Sequence, residues 1–223
     1  MSASLSPSSP TKQAPRYIAV AGTIGAGKSS LVKWLCQHYN LEPFYEPHED
    51  NPYLEDFYRD MKRWAFQSQL FFLVRRFQHH RTMEQRAHAV VQDRTIYEDA
   101  EIFARYHRDA GNIDDRDWAT YESLYHSLRD ELRAPDLMLY LRCPFDTLRR
   151  RIKARGRAYE QAIPSSYLRE LEQLYDRWFE GYSRSPKLVI ETDRLDYVTR
   201  LFDRAELVRT LDRHLGASGP LLL

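Results

Sequence analysis

The sequence YIAVAGTIGAGKSS, residues 17–30, joins a short apolar run to a glycine-rich segment. Residues 22–29 match the pattern G-x-x-x-x-G-K-[ST], and the apolar run before them and the helical pattern after them give this motif the context it requires. Glycines let backbone N–H groups surround a phosphate chain, while Lys28 supplies a positive charge and the Ser29 hydroxyl is a ligand for Mg²⁺. The segment therefore predicts a nucleoside triphosphate site.

The residues expected to contact the triphosphate are consecutive along this phosphate loop and the start of the helix after it. They are Gly22, Thr23, Ile24, Gly25, Ala26, Gly27, Lys28, Ser29 and Ser30. A phosphate loop occurs in kinases, GTPase-like switches and motors, so the motif alone leaves the reaction open.

The rest of the chain alternates short apolar runs with longer helical patterns. Runs typical of strands occupy 43–46, 89–92, 137–141 and 188–190. Helical patterns cover 29–39, 52–80 as one or two helices, 98–132 with a break near Gly111, 147–155 and 165–182. Short continuous apolar runs indicate strands buried on both faces, with helices as crossovers. We therefore expect a three-layer α/β fold around a five-stranded parallel sheet.

Composition is that of one ordinary globular domain. The chain has 223 residues, of which 43% are hydrophobic and 29% charged. We expect the domain to span 16–215, between a Ser/Pro-rich tail at 1–15 and a short tail at 216–223. The formal net charge of +1 gives no support for a nucleic-acid partner.

Cysteine usage and hydropathy indicate a cytoplasmic protein. Cys36 and Cys143 lack paired spacing, which favours reduced thiols over a disulfide framework or a zinc site. The longest apolar runs, such as 70–74, are too short to cross a bilayer. We therefore expect no membrane partner.

Glu46 is the candidate for a catalytic base. It ends the second predicted strand, so its carboxylate is expected at the carboxyl edge of the sheet beside the phosphate loop. A hydroxyl acceptor needs a base for its proton, whereas an anionic phosphate acceptor would be repelled by a carboxylate. Glu46 therefore favours an alcohol acceptor, with an exposed strand-end glutamate as the equally weighted alternative.

Asp93-Arg94-Thr95 follows the third predicted strand. An acidic residue there typically reaches the Mg²⁺ shell, and Arg94 is placed to stabilise charge on the transferring phosphoryl group or to hold Glu46 in position. The alternative is an Asp-Arg pair that only caps the next helix.

Three arginines form a candidate lid. Arg151 and Arg155 share one helix face by i, i+4 spacing, and Arg157 follows Gly156, which can end the helix. Three convergent guanidinium groups suit a lid that closes on triphosphate oxygens. A solvated basic helix face is the alternative, and no nucleic-acid module accompanies the run.

These motifs, with others between them, occur in the order found in the deoxynucleoside kinases. From Arg16 to the last strand the chain resembles the bacterial deoxyadenosine/deoxyguanosine kinase branch of that family. The markers are the phosphate loop, Tyr45-Glu46-Pro47, Asn51-Pro52-Tyr53-Leu54, Phe57-Tyr58, Arg63-Trp64, Gln69, Asp93-Arg94-Thr95-Ile96-Tyr97, Arg155-Gly156-Arg157, Glu160-Gln161 and Ile163-Pro164. Each marker is modest, but the ordered set is highly specific.

The resemblance implies a role for several further side chains. Glu46 corresponds to the base that deprotonates the 5′-hydroxyl, with Arg94 beside it. Tyr58 and Glu160 correspond to the pair that holds the sugar 3′-hydroxyl. Gln69 corresponds to the amide that pairs with the base edge, and Gln67 is the alternative because the local sequence allows a two-residue ambiguity.

The resemblance also implies how the nucleobase is selected. Phe103 corresponds to the ring packed on the base, and Arg76 with Asp99 to the base-selecting pair. Family members that favour thymidine have an uncharged pair there, so this pair points to purines or deoxycytidine. Two departures stand out: Thr23 occupies a position where the family often has Asn, and Asp93 one where many members have Glu, which leaves direct or water-mediated Mg²⁺ contact open.

The expected enzyme transfers the γ-phosphoryl group of ATP, with Mg²⁺, to the 5′-hydroxyl of deoxyadenosine or deoxyguanosine. A deoxycytidine- or thymidine-preferring kinase is the first alternative. A nucleoside monophosphate kinase and a non-catalytic nucleotide-binding subunit are more distant ones. By resemblance to the family, we expect a homodimer formed through helices.

Overall fold

The computed structural model describes residues 17–45, 51–161, 163–193 and 201–215, apart from the side chains of residues 158, 159, 201, 202 and 215. Its centre is a parallel sheet of five strands in the order β2-β3-β1-β4-β5. The strands are β1 (Tyr17–Ala21), β2 (Glu42–Phe44), β3 (Val90–Asp93), β4 (Leu137–Arg142) and β5 (Lys187–Glu191). The predicted five-stranded parallel sheet is therefore confirmed.

Helices connect the strands and flank the sheet. They are α1 (Lys28–Tyr39), α2 (Leu54–Arg59), α3 (Met61–Glu84), α4 (Ile96–Glu98), α5 (Arg105–Asp109), α6 (Asp115–Asp130), α7 (Phe145–Arg155), α8 (Ala158–Gln161), α9 (Ser165–Gly181) and α10 (Leu201–Leu215). A π-helical segment, Asp99–Ala104, joins α4 to α5. The pattern at 52–80 forms two helices because Asp60 ends α2 and caps α3, accepting a hydrogen bond from Arg63 N.

Side-chain alternation along β1 produces the three layers. Ile18 and Val20 belong to one apolar cluster, which contains residues of α1 and α10. Tyr17 and Ala19 belong to another, which contains residues of α3 and α9. Because both faces of the strand are covered, apolar side chains are needed at every position, and all five residues are buried.

The register of β1 and β3 sets the functional edge. Val20 pairs with Asp93, and Val20 O accepts a hydrogen bond from Arg94 N at 3.0 Å. The phosphate loop after β1 and the Asp93–Arg94 turn after β3 therefore leave the sheet side by side.

Two sequence expectations concern cysteines and membranes. Cys36 and Cys143 are both free thiols. In the part of the chain that the structure describes, no helix is long and apolar enough to cross a membrane. The expected tails at 1–15 and 216–223 lie outside the described residues.

Candidate active site

The phosphate loop has a backbone that requires glycine. Gly25 and Gly27 have φ angles of +85° and +102°, in the left-handed region that other residues rarely adopt. A Cβ atom at Gly25 would lie 2.9 Å from Ile152 Cγ1 and 3.1 Å from Leu148 O in α7. The loop is therefore held closely under α7, and at Gly25 both backbone angle and space exclude a side chain.

Lys28 opens α1 and turns back over the loop. Its Nζ donates to Gly22 O at 2.8 Å and to Thr23 O at 3.3 Å, and the side chain is buried. The positive end of α1 lies at the same place, since the helix begins at Lys28. An ammonium group and a helix N-terminus together favour bound phosphate.

Ser29 and Asp93 meet across the two loops. Ser29 Oγ donates to Asp93 Oδ2 at 2.7 Å, while the buried Asp93 Oδ1 has no hydrogen-bond partner among the described residues. Hydroxyl and carboxylate oxygens are suitable ligands for Mg²⁺, which takes its remaining ligands from water and phosphate oxygens. No group of three or more acidic, histidine or cysteine side chains able to hold a metal occurs in the described ranges. This pair thus fits a Mg²⁺ ion that arrives with ATP.

Arg94 is held in a strained backbone conformation. Its φ angle is +68°, unusual for a residue with a side chain, and the side chain is buried. The guanidinium carbon lies 4.3 Å from the centre of the Phe103 ring. This cation–π contact joins the predicted phosphoryl-stabilising arginine to the ring predicted to pack on the nucleobase.

Arg76 and Asp99 form a buried ion pair. Arg76 Nε donates to Asp99 Oδ2 at 2.9 Å, and Nη2 donates to Oδ1 at 3.4 Å. Arg76 Nη1 also donates to Asp93 O at 3.3 Å, so the pair contacts the turn that carries the Mg²⁺ candidate. The structure thus brings the two predicted base-selecting residues together.

The π-helical segment holds Asp99 near its start and Phe103 near its end. Such segments are often found at functional sites, and no sequence pattern indicated this one.

The two glutamine candidates differ in environment. Gln69 is 3% exposed and lies on the buried face of α3 that also carries Arg76. With its amide oxygen and nitrogen exchanged, the orientation that satisfies both atoms, Gln67 instead pairs locally, donating to Arg63 O at 3.3 Å and accepting from Arg63 Nη1 at 3.2 Å. This difference favours Gln69 for the base-pairing role.

Glu160 accepts hydrogen bonds from two of the predicted lid arginines. Arg155 donates to it through Nη2 at 2.6 Å and Nε at 3.0 Å, and Arg157 Nη1 donates at 3.4 Å. The carboxylate is only 4% exposed although Arg155 is exposed. Tyr58, the other residue of the predicted sugar pair, is partly buried on α2, which contacts α8.

Arg151 has other partners than Arg155 and Arg157, so the structure does not bring the three predicted lid guanidinium groups together. Arg151 Nη1 donates to Ala26 O at 2.9 Å, and Nη2 donates to Thr192 O at 2.7 Å. The i, i+4 spacing places Arg151 and Arg155 on one face, but Arg151 lies over the phosphate loop whereas Arg155 lies at the end of α7. Arg151 thus ties the loop to the end of β5.

Glu46 lies outside the described residues, which stop at Tyr45 and resume at Asn51. Its role as base stays a prediction.

Glu98 is a functional candidate that we did not predict. It is fully buried and accepts a hydrogen bond from Gly22 N at 3.2 Å. The spacing from Thr95 to Glu98 is a visible capping signal, but no local signal indicates a contact with a residue so distant in sequence.

The family model for deoxynucleoside kinases matches residues 18–215. The chain belongs to the deoxynucleoside kinase family. It is 38% identical over 181 residues to a deoxyadenosine/deoxycytidine kinase of Bacillus subtilis, covering 80% of this chain and 83% of the relative. It is 36% identical over 215 residues to a deoxyadenosine kinase of Lactobacillus acidophilus, covering 92% and 99% of the two chains. A deoxyguanosine kinase of the same organism is 39% identical over 196 residues, covering 84% and 85%.

A solved structure gives the same result. The deoxyadenosine kinase from M. mycoides with bound dATP has a TM-score of 0.77 and 31% identity, covering 88% of this chain and 99% of that chain. The expectations of a kinase fold and of an enzyme that phosphorylates deoxynucleosides are therefore confirmed. Membership of this family disfavours the two more distant alternatives, a nucleoside monophosphate kinase and a non-catalytic nucleotide-binding subunit.

Proposed function

We propose that this deoxynucleoside kinase transfers the γ-phosphoryl group of ATP, with Mg²⁺, to the 5′-hydroxyl of deoxyadenosine or deoxyguanosine. The observation that carries the base preference is the buried Arg76–Asp99 pair, whose arginine shares the buried face of α3 with Gln69. A fixed guanidinium and carboxylate offer both donors and acceptors to a purine edge. Relatives named deoxyadenosine and deoxyguanosine kinase support this assignment.

In the proposed mechanism the chain contributes positioning and charge. The phosphate loop and Lys28 bind the triphosphate, while Arg94 faces the transferring group and Glu46 takes the 5′-hydroxyl proton. Mg²⁺, when held by Ser29 and Asp93, would neutralise charge on the phosphates. Because the acceptor is uncharged before it reacts, a carboxylate base suits it better than it would suit a monophosphate.

The sugar is proposed to bind between Tyr58 and Glu160, with Phe103 against the base. Arg155 and Arg157, which now bond Glu160, are the groups proposed to engage the triphosphate. Arg151 is proposed to affect triphosphate binding only indirectly, because its hydrogen bond to a backbone carbonyl of the phosphate loop fixes that loop.

A deoxycytidine preference is the second candidate. The Bacillus subtilis relative is named as a deoxyadenosine/deoxycytidine kinase, and the M. mycoides deoxyadenosine kinase has also been solved with dCTP bound. The Arg76–Asp99 pair is compatible with a cytosine edge because that edge also presents a donor and acceptors.

We further propose that the enzyme acts in the cytoplasm as a homodimer. Its free thiols are consistent with that compartment.

The test is ADP release from Mg·ATP with deoxyadenosine, deoxyguanosine, deoxycytidine, thymidine and dAMP supplied separately. We expect the purine deoxynucleosides to give the highest kcat/KM. Glu46→Gln should retain nucleoside binding and lose most of its turnover. A response only to thymidine would refute the base assignment, and near wild-type turnover of Glu46→Gln would remove that residue from the base role.

A further inference from the structure

Glu98 is a buried carboxylate that none of the roles above uses. Its side chain is 0% exposed, and it is the third residue of α4. Oε2 accepts hydrogen bonds from Thr95 N at 2.8 Å and from Thr95 Oγ1 at 3.3 Å. This half of the carboxylate is an ordinary helix cap.

The other oxygen serves two distant segments. Oε1 accepts from Gly22 N at 3.2 Å and from Tyr175 OH at 2.9 Å. Gly22 begins the phosphate loop, and Tyr175 lies in α9, the helix after α8. One carboxylate therefore connects three segments that meet only in the folded chain.

The cap by itself does not require a carboxylate. Capping boxes use glutamine as well as glutamate, because a single oxygen satisfies the helix N-terminus. Here the backbone N–H groups of Thr95 and Gly22 face different oxygens of Glu98. An amide has one oxygen, so a glutamine must leave one of these two N–H groups without an acceptor. The link to the phosphate loop is what requires a glutamate.

Charge supports the same conclusion. Burial raises the pKa of Glu98, and the positive charges of Arg94 and Lys28 oppose that shift. The carboxylate thus interacts with the two cations proposed to act on the phosphoryl group.

We infer that Glu98 is a positioning residue that fixes the phosphate loop against the Asp93–Arg94 turn. Its two oxygens hold Gly22 on one side and the start of α4 on the other, so the loop cannot shift without breaking a buried hydrogen bond. The inference rests on the proposed roles of Lys28 and Arg94.

The test compares Glu98→Gln with a matched control, Glu101→Gln. Glu101 follows three residues later and accepts from Trp178 Nε1 at 2.7 Å and from Tyr125 OH, which belong to α9 and α6 and not to the phosphate loop. For each variant we would measure kcat and KM for ATP and for deoxyadenosine. For each variant we would also measure the affinity for the ATP analogue AMPPNP by calorimetry and the thermal midpoint of unfolding.

In Glu98→Gln we expect the amide oxygen to stay on Thr95 N, which is the shorter contact, and Gly22 N to lose its acceptor. The kcat/KM for ATP should then fall roughly tenfold, the effect of one unsatisfied buried donor, with a parallel loss of AMPPNP affinity. KM for deoxyadenosine should not change. Glu101→Gln should lower the thermal midpoint without changing either kinetic constant for ATP.

Equal ATP constants in the two variants would overturn the inference. If Glu98→Gln fails to fold, Tyr175→Phe decides the question, since it removes a single donor from Oε1. A smaller fall in kcat/KM for ATP would then support the inference, and an unchanged value would overturn it. An inactive wild-type enzyme would refute the proposed function instead, while AMPPNP binding by the variants would still decide the role of Glu98.

Discussion

His107 should make the stability of this kinase fall as pH decreases below neutrality. The ring is fully buried in the middle of α5. Nδ1 lies 3.0 Å from Asn112 Nδ2, and the Phe57 ring packs against the imidazole at 5.0 Å. Burial lowers the pKa of His107 from 6.5 to about 3. The folded protein therefore keeps this imidazole neutral at a pH where the unfolded chain protonates it.

The expected loss follows from proton linkage. Between pH 6.5 and about 3 the unfolded state binds up to one more proton at this site than the folded state does, so stability decreases as pH falls. Each pH unit in this window lowers the free energy of unfolding by about 1.4 kcal/mol. Because the window opens only at pH 6.5, the loss between pH 7 and pH 5 is about 2 kcal/mol. His80, whose pKa burial lowers to about 4, adds to the loss over the same window.

The assay is urea unfolding of the wild type and His107→Asn at pH 7 and pH 5, at one protein concentration. Subtracting the pH effect in the variant removes the contribution of His80, because that residue is present in both proteins. We expect the wild type to lose about 2 kcal/mol more than the variant. Equal losses in the two proteins would show that His107 is protonated in the folded state, which would refute the reasoning from burial.

Four further substitutions have definite expectations, one of them as a control. Gly25→Ala should raise KM for ATP strongly and lower the free energy of unfolding by about 2 kcal/mol, because the new side chain adds left-handed backbone strain to a clash with α7. Gly111→Ala is the control, since Gly111 has a φ of +72° and nothing within 4 Å of its Cβ position. It should cost about 1 kcal/mol in urea unfolding and leave the kinetics unchanged. Asp99→Asn should leave the buried Arg76 charge uncompensated, costing about 3 kcal/mol by denaturation and raising KM for the nucleoside more than KM for ATP; an equal rise in both would count against base selection. Glu160→Gln should raise KM for the deoxynucleoside roughly tenfold with little change in thermal midpoint, and an unchanged KM in steady-state kinetics would exclude contact with the sugar.

The sequence alone determined the sheet and the phosphate loop. Both depend on local chemistry: glycines at fixed spacing give the loop its backbone angles, and continuous apolar runs indicate strands covered on both faces. The order of motifs along the chain also identified the family, which the family model and the relatives confirm. Helix α10 was not predicted, because the last strand was the final element with a clear pattern.

Tertiary structure decided which atoms meet. Periodicity placed Arg151 and Arg155 on one helix face, but only the packing of α7 over the phosphate loop sends Arg151 to Ala26 O and Arg155 to Glu160. The capping spacing of Glu98 was visible in the sequence, whereas its bond to Gly22 depends on the pairing of β1 with β3. A linear sequence specifies side-chain direction within one element, and contacts between elements follow from strand register and helix packing.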